Sequence, residues 1–353
     1  MKTMKKGILS WIKVFFKFLL LLLRKYGGDR KLLDLVTDVL EDADNFVTYH
    51  YRPKLSNAVM TESDLVKGRK PLAIVMQGPI VHVDSFTLET LKIYQRHFAG
   101  ANIIVSTWED ESPVAIRQIE DAGIMVVLNR KPAYPGVSNI NLQIASSRSG
   151  MQQAKDLGAE YALKTRTDQR MYAPNLTDFF YNLTEIFPVN GNWPKQRKRI
   201  VGCSLNTFKY RMYGLSDMLI YGHIDDMLVY WDIGLDERVF DEKQQLQATS
   251  SLRTFALWRV CEVYLATEFL MKIGRELEWS LRDSWSVFAE HFCVVDKEQL
   301  DLFWPKYNHS EYRWLGYSED TRMQEVSFRE WVNLYASLTT REIPESMLDA
   351  PFK

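Results

Sequence analysis

The sequence predicts an α/β protein built on a doubly wound, mostly parallel sheet. Short apolar runs recur along the chain, and turn residues close them, as Gln77-Gly78-Pro79-Ile80 closes Leu72-Ala73-Ile74-Val75-Met76. These runs are continuous rather than alternating, the pattern of strands buried on both faces. Segments of helical periodicity separate them, and strand–helix alternation of this kind argues for a parallel sheet wrapped in helices.

The elements follow in order. Residues 1–28 contain Lys2, Lys5, Lys6, Lys13, Lys17, Arg24 and Lys25 and no acid. At 100° per residue, Lys2, Lys6, Lys13, Lys17 and Arg24 project within about 60° of one another. Trp11, Ile12, Phe15, Phe18, Leu19 and Leu22 take other directions, so the segment reads as a basic amphipathic helix lying in a lipid interface. No uncharged run of the segment is longer than that of Phe18 to Leu23, which is far short of the ~20 residues a span needs. A short snorkelling span and a protein-docking helix are the competing readings. Tyr26-Gly27-Gly28 is a poor signal-peptide cleavage site. Residues 29–70 read as a polar, helix-containing linker, 71–300 as the sheet domain, and 301–353 as a helical C-terminal extension.

Within the sheet domain, strands are expected at 72–76, 102–106, 124–128, 161–167 and 199–203. Helices are expected at about 84–98, 113–122, 139–157 and 175–187, and mainly helix beyond Arg253. A net charge of -1 provides no global field to recruit nucleic acid. Cys203, Cys261 and Cys293 lack C-x-x-C spacing, which fits buried thiols rather than a zinc site or a disulfide framework. No G-x-G-x-x-G follows the first strand, which argues against a dinucleotide site.

Candidate chemistry sits at the strand ends, where open α/β sheets bind ligands. The run Tyr161-Ala162-Leu163-Lys164-Thr165-Arg166-Thr167 leads straight into Asp168. A carboxylate there, flanked by Lys164, Arg166 and Arg170, suits a divalent cation holding a diphosphate. The competing reading is a strand-end Asp that starts a turn and pairs with a neighbouring Arg. The turn Gln77-Gly78-Pro79 and the hydroxyls and indole of Ser106-Thr107-Trp108 suit a nucleotide base or sugar, or are structural. Asn129-Arg130-Lys131-Pro132 closes the third strand with two cations. Asn139, Gln143, Ser146 or Ser147, and Gly150 share one helical face, suggesting close approach to a ligand or a neighbouring backbone. Asp225-Asp226 is either a second metal candidate or part of a helix cap. Glu262, in the apolar stretch Cys261–Leu265, must be paired or functional, because burying a lone charge is costly. Trp193–Arg199 is a basic patch that reads as a solvated charge run or a contact for lipid phosphate.

Taken in order, several of these segments resemble the WavE family of lipopolysaccharide-synthesis proteins. They are Gln77-Gly78-Pro79-Ile80, Ser106-Thr107-Trp108, the pattern Asn141-x-Gln143-x-x-x-Ser147-x-x-Gly150, Lys164-Thr165-Arg166-Thr167-Asp168, Ser216-Asp217-Met218 and Glu262-x-Tyr264-Leu265. The resemblance covers roughly residues 70–300. It implies a GT-A-type glycosyltransferase that moves a sugar from a nucleotide-sugar donor to a lipid-linked oligosaccharide or lipopolysaccharide core. Gln77, Gly78, Pro79, Thr107, Trp108, Asn141, Gln143, Ser147, Lys164, Arg166 and Arg170 would bind the donor. Asp168 would hold Mg²⁺ or Mn²⁺ in place of an Asp-x-Asp motif, although Arg166 stands where its first acid would be. Glu262 is the implied catalytic base and Asp217 its competitor. The N-terminal helix would then place the enzyme on the cytoplasmic face of the bacterial inner membrane. A phosphosugar transferase and a non-catalytic, membrane-bound scaffold are the alternatives.

Overall fold

The computed structural model describes residues 2–40, 50–59, 70–189, 191, 193–239, 251–305, 324–337 and 348. Residues 41–49 and 60–69 of the expected linker, and most of the expected C-terminal extension, lie outside the described residues. The chain divides into two compact units, residues 1–53 and 54–353.

The first unit is dominated by α1 (Lys2–Leu40), which is non-helical at Gly28 (φ 78°, ψ 166°). Glycine occupies this positive-φ conformation without a Cβ penalty. Lys13 and Lys17 are exposed, and so are Ile12, Val14, Phe15, Phe16, Phe18 and Leu19. Side-chain placement at Lys2, Lys6 and Trp11 lies outside the described residues. Among those described, no helix is long and apolar enough to cross a membrane.

The second unit is built on a seven-stranded sheet of order β3-β2-β1-β4-β7-β6-β8. Its first half is parallel: β1 (Leu72–Gln77), β2 (Asn102–Trp108), β3 (Met125–Asn129) and β4 (Tyr161–Arg166). Every residue of β1 is buried, as a strand covered on both faces requires. Strand β3 at the sheet edge exposes Met125 and Leu128. Beyond β4, the strand β7 (Ile220–His223) runs antiparallel to both β4 and β6 (Ile200–Cys203), while β6 is parallel to β8 (Phe292–Val295). The sheet is thus mostly parallel with one reversed strand. Neither β7 nor β8 was expected; each adjoins a helix directly, at His223–Ile224 and at His291–Phe292, with no turn residue between to part strand from helix. A second, two-stranded sheet pairs β5 (Arg170–Met171) with β9 (Leu302–Phe303).

Helices α2 (Phe86–His97), α3 (Pro113–Asp121), α4 (Ile140–Asp156) and α5 (Leu176–Ile186) fall within two residues of their expected bounds. Ser112 caps α3 by accepting the Ala115 N–H, and Pro113 follows in the first turn, where a missing N–H costs nothing. Further on come α6 (Ile224–Trp231), α7 (Leu252–Trp258), α8 (Cys261–Lys272), α9 (Leu281–His291) and α10 (Phe328–Ser337).

Two features set the site. The first is register: Gln77, the last residue of β1, pairs with Ser106 on one side and with Arg166, the last of β4, on the other, so β1 and β4 finish level while β2 runs two residues further to Trp108. The second is the seating of α4. A Cβ at Gly150 would lie 2.4 Å from Val75 Cγ1 and 3.2 Å from Ser106 Cβ, so only glycine lets the helix approach β1 and β2 this closely. The approach expected at Gly150 is to neighbouring strands, not to a ligand.

Candidate functional site

At the carboxyl ends of β1, β2 and β4 lies a cavity of about 550 Å³. Its floor is the Gln77-Gly78-Pro79 turn. Gly78 has φ +121°, and a Cβ there would meet Thr167 Oγ1 at 2.9 Å, so the turn requires glycine. Its N–H donates to Ser106 O at 3.1 Å, and Thr167 Oγ1 donates to Pro79 O at 2.6 Å. Ile80 N–H donates to Glu111 Oε1 (3.0 Å), which also accepts from Thr107 Oγ1 (3.2 Å). The Gln77 amide is fixed from α4, where Ser146 Oγ donates to its Oε1 at 2.9 Å.

One wall comes from the loops after β2 and β3. Trp108, Asp110, Glu111 and Lys131 line it, with Lys131 Nζ 2.6 Å from Asp110 and 5.9 Å from the Trp108 ring centroid. The opposite wall is Arg166 and Trp304. Asp168 accepts from Arg166 Nε (2.8 Å) and Nη2 (2.9 Å) and from Trp304 Nε1 (3.0 Å), and the guanidinium lies 5.5 Å from the indole centroid. Burial would raise the Asp168 carboxyl, but these donors outweigh it and hold the group below the ordinary carboxylate range. The third side is the start of α4, where Ser138, Asn139, Leu142 and Gln143 face the cavity. Ser138 and Asn139 enter the helix with φ of 57° and 62°. A helix N-terminus carries partial positive charge and favours an anion.

Behind Gln143 is a buried polar layer. Lys164, fully buried, donates to the Asp217 carbonyl and lies 3.4 Å from Gln143 Oε1. Burial depresses its pKa to about 8. Gln143 Nε2 reaches Cys261 Sγ at 3.5 Å, and that thiol lies 3.5 Å from Asp217 Oδ2. Glu262 pairs with Arg211 at 2.9 Å and accepts from Asn206 Nδ2. Burial raises its carboxyl despite the Arg211 charge.

Of the residues singled out from sequence, Gln77, Gly78, Pro79, Trp108, Gln143 and Arg166 line the cavity. Thr107 and Lys164 stand one hydrogen bond behind it. Asp217 and Glu262 are farther back, facing Cys261 and Arg211. Asn141 is a tie between segments: its amide donates to Tyr134 O and Asp236 O, and its Oδ1 accepts from Asp236 N. Ser147 is buried on α4 and does not line the cavity. Arg170 lies away from it as well, because the chain turns after Asp168. Its guanidinium donates to Thr90 Oγ1, Phe86 O and Lys54 O at 2.9–3.0 Å and stacks on Phe86. Asp225 and Asp226 open α6, where they pair with Lys155 and accept from the Arg197 and Lys198 N–H groups. His223 caps that helix. Three cations of the Trp193–Arg199 patch have protein partners: Arg197 pairs with Asp225, Lys198 with Glu185, and Arg199 donates to the Phe187 and Ala289 carbonyls, while Lys195 is exposed. Sequence reasoning missed Asp110, Glu111 and Trp304. The acid run after Trp108 was a visible signal; Trp304, 136 residues from Asp168, gave no local one.

The residues at the cavity do not fit a divalent ion. Among the described residues no group of three or more Asp, Glu, His or Cys side chains is placed to hold a metal. Each carboxylate on or beside the wall already has donors.

A family model described as WavE lipopolysaccharide synthesis matches residues 72–350. No curated protein matches the sequence. Among solved structures, similar chains include a 4-diphosphocytidyl-2C-methyl-D-erythritol synthase from Anaerococcus prevotii (11% identity, 76% of this chain and 99% of that one, TM-score 0.35). A glucosyl-3-phosphoglycerate synthase from Mycobacterium tuberculosis, in complex with Mn²⁺, UDP and phosphoglyceric acid, is 12% identical over 60% of this chain and 81% of that one (TM-score 0.29). A mannose-1-phosphate geranyltransferase from Thermus thermophilus is 12% identical over 55% of this chain and 67% of that one (TM-score 0.28).

Proposed function

From the premise that the chain belongs to the WavE lipopolysaccharide-synthesis family, we propose that it is a GT-A-type glycosyltransferase. It moves a sugar from a nucleotide-sugar donor to a lipopolysaccharide core or other lipid-linked surface-polysaccharide acceptor. The observation that carries this reading is the cavity at the carboxyl ends of β1, β2 and β4, where Arg166 and Lys131 each lie against an indole. Flat aromatic faces suit a base or sugar ring, and the cations suit phosphate oxygens. Charge builds on the leaving nucleoside diphosphate as the bond from sugar C1 to phosphate oxygen breaks. Donors already in place stabilise that charge without reorganising. Arg166 and Lys131 supply them, and buried Lys164 adds positive potential behind Gln143. Of the carboxylates, Asp110 is exposed on the wall, whereas Asp217 and Glu262 are turned to Cys261 and Arg211. Asp110 becomes this reading's base for the acceptor hydroxyl when Lys131, its partner at 2.6 Å, turns to the diphosphate. The exposed apolar residues of α1, interspersed with Lys13 and Lys17, bring the chain to the cytoplasmic face of the inner membrane.

The test is transfer from a panel of radiolabelled nucleotide sugars to membrane-extracted lipopolysaccharide and lipid-linked oligosaccharide. One donor is expected to be consumed, with release of a nucleoside diphosphate and label in the lipid fraction. Release of a nucleoside monophosphate, with phosphate travelling alongside the sugar, would establish the phosphosugar transferase instead. If no donor binds or turns over even with acceptor present, the chain is a scaffold.

A further inference from the structure

The Arg166–Asp168 pair has a geometry that assigns each partner a task. The carboxylate meets the Nε/Nη2 edge of the guanidinium in two parallel bonds of 2.8 and 2.9 Å, and the Trp304 indole adds a third donor at 3.0 Å. Both Asp168 oxygens are thus directed at a cation and an N–H. A divalent ion sharing them would sit against the guanidinium charge. Arg166 itself lines the cavity, and its Nη1 donates no hydrogen bond among the described residues. A guanidinium has five N–H donors in a fixed fork and stays charged at any working pH, so one edge can be tethered while another binds phosphate.

We propose that Asp168 is a positioning residue for Arg166, and that Arg166 binds the donor's diphosphate in this cavity without a divalent ion. This rests on the nucleotide-sugar reading above. Three further features agree. Lys131, the second cation of the cavity, is held by Asp110 and lies near Trp108 much as Arg166 is held by Asp168 and lies near Trp304. Glu111, the remaining carboxylate of the wall, is occupied by the Ile80 N–H and the Thr107 hydroxyl. The start of α4, a 17-residue helix, faces the same space.

The two roles open to Asp168 predict opposite results for one substitution. A metal ligand changed by Asp168→Asn loses the ion and with it the diphosphate. A tether changed by Asp168→Asn keeps an acceptor oxygen for Arg166 and removes a negative charge from beside the ligand, so affinity holds or rises. The experiment is calorimetric titration of the full chain with UDP, GDP, CDP, dTDP and ADP, in EDTA and in Mn²⁺. The tightest of these is expected to bind equally well in both. Arg166→Ala should weaken it by about tenfold or more, the usual worth of a charge-assisted hydrogen bond, and flatten its salt dependence. Arg166→Lys, which keeps the charge on a long side chain, should recover part of the loss. Asp168→Asn should bind at least as tightly as the unaltered chain. Binding that appears only with Mn²⁺ and vanishes in Asp168→Asn would overturn the inference while leaving the glycosyltransferase reading intact. Absence of binding to every diphosphate under both conditions would overturn both.

Discussion

Replacing Gly150 by alanine probes the contact that sets α4 on the sheet. The added carbon would lie 2.4 Å from Val75 Cγ1 and 3.2 Å from Ser106 Cβ, against an optimal carbon–carbon separation of about 3.5–4.0 Å. Val75 and Ser106 are both fully buried on central strands, so neither can swing away into solvent. The helix must recede by about 1 Å, and overpacking of this kind costs about 1–3 kcal/mol. Alanine regains up to about 1 kcal/mol of helix propensity, leaving a net loss of roughly 0–2 kcal/mol. With an m-value of about 3 kcal/mol/M, the urea midpoint should fall by up to about 0.7 M, read by tryptophan fluorescence. The substitution Val75→Ala removes the clashing methyl, so the double variant should be more stable than the sum of the single changes allows, by about 1 kcal/mol. Nucleotide affinity should fall in Gly150→Ala as well, because Ser146 on the same helix holds Gln77. Additive effects, or a Gly150→Ala chain more stable than the original, would refute the close seating.

Lys164 gives a pH dependence of defined sign. Its pKa falls from 10.5 to about 8 on folding because burial disfavours the charge, so between those values the unfolded chain binds a proton that the folded chain does not. Stability from this group therefore rises with pH across that window, by about 3 kcal/mol in all. Lys164→Met should abolish that rise in urea titrations, and parallel curves for the two chains would contradict it. Gly78→Ala places a Cβ 2.9 Å from Thr167 Oγ1 at φ +121°; it should cost about 1–3 kcal/mol and weaken nucleotide binding, measured by urea titration and calorimetry. Lys13→Glu with Lys17→Glu in the full chain should lower its affinity for phosphatidylglycerol vesicles by at least about tenfold at low salt, since each basic residue is worth about 1 kcal/mol at an anionic surface. Unchanged cosedimentation would sink the interfacial reading of α1.

The parallel half of the sheet was legible because β1, β2 and β4 are apolar runs closed by recognisable turns. Asp168 lies two residues past the last of them. What lies beside it was not legible. Arg170 is only two residues on, but reversal of the chain turns its guanidinium to the Phe86 and Lys54 carbonyls. Asn141 shares a helix with Gln143, but it faces Asp236, 95 residues away in sequence. The reversed strand β7 escaped notice because Ile220–His223 runs directly into α6, with His223 belonging to both strand and cap. Gly150 was legible as a site of close approach, but the identity of the approaching group depends on strand order, which local pattern does not carry.

The bond from Trp304 to Asp168 closes a span of 136 residues. During synthesis, β1 to β4 and Arg166 emerge long before the indole that completes the opposite wall. A chain that has emerged only as far as Asp168 therefore carries the residues of the floor and both cations but not the Trp304 indole. Trp304 follows every strand of the seven-stranded sheet in sequence, so its bond to Asp168 requires a chain that already holds all seven. The site in this way reports on the completeness of the fold that carries it.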